Sequence, residues 1–285
     1  MLSALALGLV AAGLWGVSGF VGGLAARQVG ALRVAAGAQL VGLLAALLVL
    51  LAARPAWPGL EDLLPALLGG LAGGIGLAAF FRALSLTEIG VAAPIAATGV
   101  AVPIVASLVA GEVPTPLQAA GVGLAVAGVM LATYDARGRD AGEPGAGTKG
   151  IALAAIAALL FGLFYLGLDM SGDADVLWTV VAARTLSVAF LCSWLAAAPR
   201  GAPDSEGPPQ TTAIVGSGIL DVSANAAFTF ATTLGALVLA AVPAALYPIV
   251  TLLCARVALS ERLRPMQRAG ASSALLGVAL MAVPR

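Results

Sequence analysis

The sequence predicts an all-α integral membrane protein: ten transmembrane helices arranged as a 5+5 inverted structural repeat around a central cavity. Three observations predict it. Of the 285 residues, 61% are hydrophobic and only 10% charged, with a mean hydropathy of +1.05, whereas a soluble domain carries roughly 25% charged residues. The charges crowd into short stretches such as Asp135 to Lys149, Pro199 to Glu206 and Glu261 to Arg268. The uncharged runs between them are long enough for the ~20-residue helix that crosses ~30 Å of hydrocarbon. Finally, the second half repeats the first.

Taken in order, the apolar runs give spans near 2–24, 30–53, 63–84, 88–110, 115–134, 149–169, 176–198, 212–234, 236–258 and 265–283. The first lacks the basic start of a signal peptide, so it reads as a span kept in the mature chain. Helix breakers and interfacial residues stand between the spans: Arg54-Pro55 with Trp57-Pro58, Thr115-Pro116, Pro199-Arg200-Gly201 and Pro208-Pro209. Within the fourth and ninth spans, Pro94, Pro103, Pro243 and Pro248 are expected to bend the helix and free backbone carbonyls, as hinges or as inert kinks.

The repeat aligns without a gap: Phe81 with Phe230, Pro94 with Pro243, Glu112 with Glu261, Pro116 with Pro265, Gln118 with Gln267, Gly121 with Gly270 and Gly128 with Gly277. A slightly different shift pairs Ala31-Leu32-Arg33 with Ala182-Ala183-Arg184. Chance matches of Gly and Ala do not give that coincidence of Glu, Pro and Gln at one register. The units are 1–134 and 149–285, joined by a linker loop at 135–148. Five crossings are odd, so the second unit enters the membrane upside down, an arrangement recurrent in alternating-access transporters.

Composition also excludes. Net charge is zero and no basic face is concentrated, so nucleic acid is not an expected partner. There is no histidine, and the two cysteines, Cys192 and Cys254, stand alone in apolar runs. Histidine acid–base chemistry, the usual zinc sets and a disulfide framework are excluded with them, and no cofactor or metal is expected. No Walker-type loop is present to couple motion to nucleotide hydrolysis.

The segment Gly111-Glu112-Val113-Pro114-Thr115-Pro116-Leu117-Gln118-Ala119-Ala120-Gly121, its repeat Ser260-Glu261-Arg262-Leu263-Arg264-Pro265-Met266-Gln267-Arg268-Ala269-Gly270, and the opening Leu14-Trp15-Gly16 resemble the EamA-type branch of the drug/metabolite transporter superfamily. In that family each repeat ends in a Gly-Glu-Arg-like turn followed by a Gln and a Gly-punctuated helix, and the first helix carries a Trp-Gly pair. The resemblance covers essentially the whole chain and implies export of amino acids, other metabolites or drugs. Physically, Glu112 and Glu261 precede a helix start, where a carboxylate accepts from orphan N–H groups for roughly 0.3–1 kcal/mol. Contact with substrate is the other reading.

An ionisable residue deep in a span is costly and is read first as functional. Asp221 is the clearest case. Ser217, Asp221, Asn225, Phe228 and Thr232 follow at spacings of three or four, which puts them on one helical face. That stripe either lines the cavity or forms an interhelical hydrogen-bond ladder. Tyr165 and Asp169 share a face with Phe161, although Asp169, with Asp173 and Asp175 following, also reads as a solvated acidic loop. Trp15 and Ser18 share a face of the first span, and Tyr247 spaces with Thr251 on the ninth. The spans near 63–110 and 212–258 are expected to line the cavity, which adds Phe81. Arg33 and Arg184 lie near span starts and snorkel to the headgroups; alternatively, Arg184 reaches the cavity to pair with Asp221 or hold a substrate carboxylate. The substrate-binding set is thus Trp15, Ser18, Phe81, Tyr165, Arg184, Ser217, Asp221, Asn225, Phe228 and Tyr247, with no catalytic residues.

These readings point to a multi-pass protein of the cell membrane, a secondary transporter whose partners are a small-molecule substrate, the lipid bilayer and a coupling proton, acting as monomer or homodimer. The competing readings are an intramembrane aspartyl-type enzyme built on Asp169 and Asp221, and a non-transporting membrane scaffold. With ten spans both termini share one side. Arg27, Arg137, Arg139, Lys149, Arg200, Arg262, Arg264 and Arg268 fall on the opposite side, and only Arg54 and Arg285 on theirs. Retention of basic loops in the cytoplasm then puts both termini outside, the reverse of the family's habit.

Overall fold

The computed structural model describes residues 2–87, 89–111, 115–134, 146–198, 210–259 and 265–281. The described residues form helices and no strand. In chain order the helices are α1 (Leu2–Val29), α2 (Ala31–Ala53), α3 (Leu60–Leu86), α4 (Ile89–Ala97), a 3-10 turn (Thr98–Val100), α5 (Ala101–Val109), α6 (Pro116–Tyr134), α7 (Ala146–Gly172), α8 (Val176–Ala197), α9 (Thr211–Thr233), α10 (Leu237–Ala244), α11 (Tyr247–Leu259) and α12 (Pro265–Met281). Seven segments among them are long and apolar enough to cross a bilayer: α1, α2, α3, α7, α8, α9 and the run Leu237–Ala258. Large apolar side chains such as Leu48, Leu51, Val109, Met170 and Val257 are exposed on the outside of the bundle, as lipid requires and water does not allow.

Local chemistry sets the helix ends. Gly30 breaks α1 from α2 at φ 88° and Gly59 opens α3 at φ 115°, a region L-residues rarely adopt. Pro116 and Pro265 stand at the first positions of α6 and α12, where the missing N–H costs nothing. Glu61 and Asp62 occupy the first turn of α3, favourable at the positive end of the helix dipole. Asp175 belongs to no loose acidic loop: its carboxylate accepts from the Trp178 N–H at 2.8 Å and caps α8. The first helix runs further than its apolar length predicts, to Val29. Arg27 near its end donates from Nε to the Leu84 carbonyl at 3.0 Å, tying α1 to the end of α3.

Two helical runs are interrupted. The 3-10 turn lies just ahead of Pro103, and Ala245 and Leu246 leave the helix just ahead of Pro248. In each case proline lacks the N–H that would bond four residues back, so the carbonyl it would have met has no helical partner and the ladder lapses there.

The packing is crossed. Helix α3 lies along α7 and α1 along α9; α8 packs on α3 and α2, and α9 on α2; α12 lies on α6, α4 on α7, and α10 and α11 on α1. Small residues bring these backbones close, as helices in lipid need. A Cβ on Gly69 would sit 2.8 Å from Gly167 Cα, and one on Gly218 would sit 2.5 Å from the Ala38 carbonyl oxygen.

Candidate functional site

Where α1, α2, α3, α7, α8, α9 and α11 meet, the bundle leaves a cavity of about 600 Å³, its open mouth included. Gly70 and Gly73 of α3 and Gly19 of α1 are at its lining, each packed against a neighbour: Gly70 on the Ala183 backbone, Gly73 on Phe164 and Gly19 on Phe80. Aromatic rings supply the rest of the apolar surface, with Trp15, Phe80, Phe161, Phe164, Tyr165 and Tyr247 all at the lining. Their rings touch. Trp15 and Tyr165 have centroids 5.5 Å apart, and Phe80 meets Phe161 and Tyr247 edge-on at 5.8 and 6.1 Å, the separations such pairs prefer.

The polar end is a cluster from three helices. Arg184, midway along α8, is 1% exposed. Its Nη2 donates to Asp221 Oδ2 at 2.6 Å and its Nη1 to Gln39 Oε1 at 2.5 Å, while its Nε is buried without a partner. The snorkelling alternative for Arg184 is therefore not what the fold does: the side chain points into the bundle and meets Asp221 of α9. A guanidinium this deep is tolerable only because a carboxylate and an amide oxygen receive it. Next to it the Trp15 indole N–H donates to Asn225 Oδ1 at 3.0 Å, which fixes the largest ring of the cavity to the same face of α9.

The stripe on α9 divides between its two readings. Asp221 and Asn225 line the cavity. Ser217, a turn away, forms instead a stitch to α1: Ser18 Oγ donates to the Ser217 carbonyl at 2.9 Å and the two hydroxyls are 3.0 Å apart. Ser18 still borders the cavity. Phe228 is fully buried behind the wall, its ring 4.9 Å from Tyr165 and 5.6 Å from Trp15. Thr232 bonds within its own helix, to the Thr229 carbonyl. Tyr247 donates to the Ala93 carbonyl at 3.3 Å, linking α11 to α4, and Thr251 donates to Gly16.

Phe81 is not at the lining. It is fully buried under Gly22 of α1, and Phe80 holds the place facing the cavity. Successive residues of a helix point about 100° apart, and the pairing of Phe81 with Phe230 in the repeat carried no information on facing; Phe230 itself is half exposed. Gln39 is the functional candidate that sequence reasoning missed, and a lone Gln inside the apolar run of α2 was the signal for it. Asp169 is half-buried toward the end of α7 and does not line the cavity, so Asp221 faces a guanidinium and not a second aspartate. Arg33, Arg82 and Arg256 are exposed. Among the described residues no three His, Cys, Asp or Glu side chains come together to hold a metal ion. The turns carrying Glu112 and Glu261 lie outside the described residues.

A family model described as "EamA-like transporter family" matches residues 2–134 and again residues 148–283. A solved structure described only as "Crystal structure of protein" is similar over 99% of this chain and 98% of its own, with a TM-score of 0.72 at 19% identity. At that identity the likeness speaks for the fold alone. No curated protein matches the chain.

Proposed function

Because the chain belongs to the EamA-like transporter family, whose members are membrane transporters of the drug and metabolite type, we propose that it is a secondary transporter exporting a small organic solute by alternating access around the aromatic cavity. One observation carries the reading. The cavity draws its walls from both matched halves, with a buried ion pair, Arg184–Asp221, at its polar end. A charge pair held in the depth of a membrane bundle is expensive and marks a substrate or ion pathway. The substrate-contacting residues are then Trp15, Ser18, Tyr165, Arg184, Asp221, Asn225 and Tyr247, with Phe80 in place of Phe81, and Asp221 is the coupling group.

The ten-span count belongs to the same proposal. It takes α4, the 3-10 turn and α5 as one broken span and α10 with α11 as its counterpart. What supports it is the packing: exchanging the halves turns α1 along α9 into α7 along α3, and α2 on α9 into α8 on α3. Ten spans put both termini on one side, and the basic loops put that side outside. A C-terminal reporter that fluoresces only in the cytoplasm should therefore stay dark; a bright signal refutes the orientation.

The function is tested by flux. Purified protein in liposomes, given a panel of amino acids, organic acids, amines and aromatic drugs with and without a pH gradient, should move at least one compound saturably. Empty liposomes should not. No flux above empty liposomes for any compound overturns the reading.

A further inference from the structure

The ion pair in the cavity is incomplete on one edge. In a guanidinium, Nε–H and one Nη–H point the same way as a fork that fits two oxygens of one anion. Asp221 uses a single oxygen, Oδ2, on Nη2, Nη1 is taken by Gln39, and Nε has no acceptor. So the carboxylate that neutralises Arg184 leaves half of its fork unused. An incoming anion with two oxygens that displaced Asp221 from Nη2, with a shift of the Arg184 side chain that opened the buried Nε, would fill both positions and make one hydrogen bond more than Asp221 does.

Charge decides how that exchange runs. An anion brought against Arg184 while Asp221 is ionised would put two like charges on one guanidinium in a buried site, which is strongly unfavourable. Among the described lining residues no other charge can absorb the conflict. Besides Arg184 and Asp221, α1 presents Trp15 and Ser18, α2 Gln39, α3 glycines with Leu77 and Phe80, α7 and α11 the uncharged phenols Tyr165 and Tyr247, and α9 Asn225. A proton on Asp221 removes the conflict and releases Nη2.

Resting on the transporter reading, we infer that the solute is a flat apolar monoanion, such as an aromatic carboxylate or sulfonate, bound by the Arg184 fork together with one proton on Asp221. The step balances. The Asp221 carboxylate gains a proton and its ion pair to Nη2 breaks, while the solute's two oxygens accept from Nε–H and Nη2–H, and the net charge of the site is unchanged. The aromatic walls receive the ring. The occupied site carries no net charge, so the translocation step moves none across the membrane, and because the proton travels with the solute, export is driven by the solute's own gradient and not by an inward proton gradient.

Binding to the purified full chain in detergent, followed by tryptophan fluorescence because Trp15 lines the cavity, tests this directly. Benzenesulfonate is the main probe, since it stays ionised throughout. It should bind about tenfold more tightly for each pH unit lowered from neutral, as uptake of one linked proton requires. Benzamide and benzylamine should bind at least tenfold more weakly. Asp221→Asn should bind benzenesulfonate with no pH dependence, and Arg184→Lys should lose binding because an ammonium cannot fill the fork. Should either variant fail to fold, the wild-type pH slope and the amide comparison decide alone. A flat pH profile, or benzamide binding as tightly as benzenesulfonate, overturns the inference. In liposomes, flux of amines or amides but not of the anions leaves a transporter and sinks the monoanion. Flux of none of the panel sinks the transporter reading itself.

Discussion

Arg184→Met should lower the stability of the folded chain by about 3–5 kcal/mol, the usual result of removing one partner of a buried pair and stranding the other. Asp221 would keep its buried position without the guanidinium now 2.6 Å away, and Gln39 Oε1 would lose its donor. The double variant Arg184→Met/Asp221→Leu should recover most of the loss, because an apolar pair of similar volume needs no partner. Transport should be absent from both. Thermal melts in detergent and flux in liposomes separate the two roles: a double variant that folds and still transports would show that the pair serves the bundle and not the solute. A single variant as stable as wild type would show that Arg184 is not held in the interior.

That pair also marks how far the residues alone could be read. Lipid leaves a helix only apolar or internally satisfied positions, so the runs of α1, α2, α3, α7, α8 and α9 stood out by composition. The prolines announced the broken segments, although the lapses fall ahead of Pro103 and Pro248, because the consequence of a missing N–H appears at the carbonyl upstream. The ends were less readable. Helix α1 continues to Val29, and near its end Arg27 donates to the Leu84 carbonyl at the end of α3, a tertiary contact that no local pattern encodes.

In the cavity, spacing on α9 exposed Asp221 and Asn225, since polar residues at helical intervals are visible within one helix. The partners were not. Gln39 is 145 residues from Arg184 in the chain, so its isolation in an apolar run marks it as unusual but does not name its partner. Arg184 allowed two readings because its distance from the span start suits either a snorkel or a reach inward. Only the crossing of α8 over α3 and α2 settles which way the side chain points. Phe80 and Phe81 differ by one residue, and hydrophobicity cannot rank two phenylalanines that face 100° apart.

That crossing rests on Gly70, and Gly70→Ala should be the most damaging one-carbon change in the bundle. A Cβ there would collide with the carbonyl oxygen and Cα of Ala183. The obstacle is backbone, so no rotamer change relieves it, and α3 must move off α8. Overpacking of this kind costs about 1–3 kcal/mol where side chains can yield, and more is expected where they cannot. The displaced segment carries Arg184, the next residue, so the Gln39 and Asp221 bonds should fail together with the packing. Gly74 one turn on is the intermediate case: the Ser187 hydroxyl can rotate away, but the Ser187 Cβ, 2.9 Å from a built Cβ, does not move with it, so α3 must still give slightly, though no backbone atom lies as close as at Gly70. Gly13 of α1 has nothing within 4 Å of a built Cβ; there alanine should be neutral or stabilise by up to about 1 kcal/mol through helix propensity. Melting temperatures of the three alanine variants in one detergent should therefore rank Gly13 highest, Gly74 next and Gly70 lowest, with flux lost at Gly70 even in whatever fraction folds. Equal melting at Gly70 and Gly13 would mean that α3 and α8 do not approach as closely as the cavity requires.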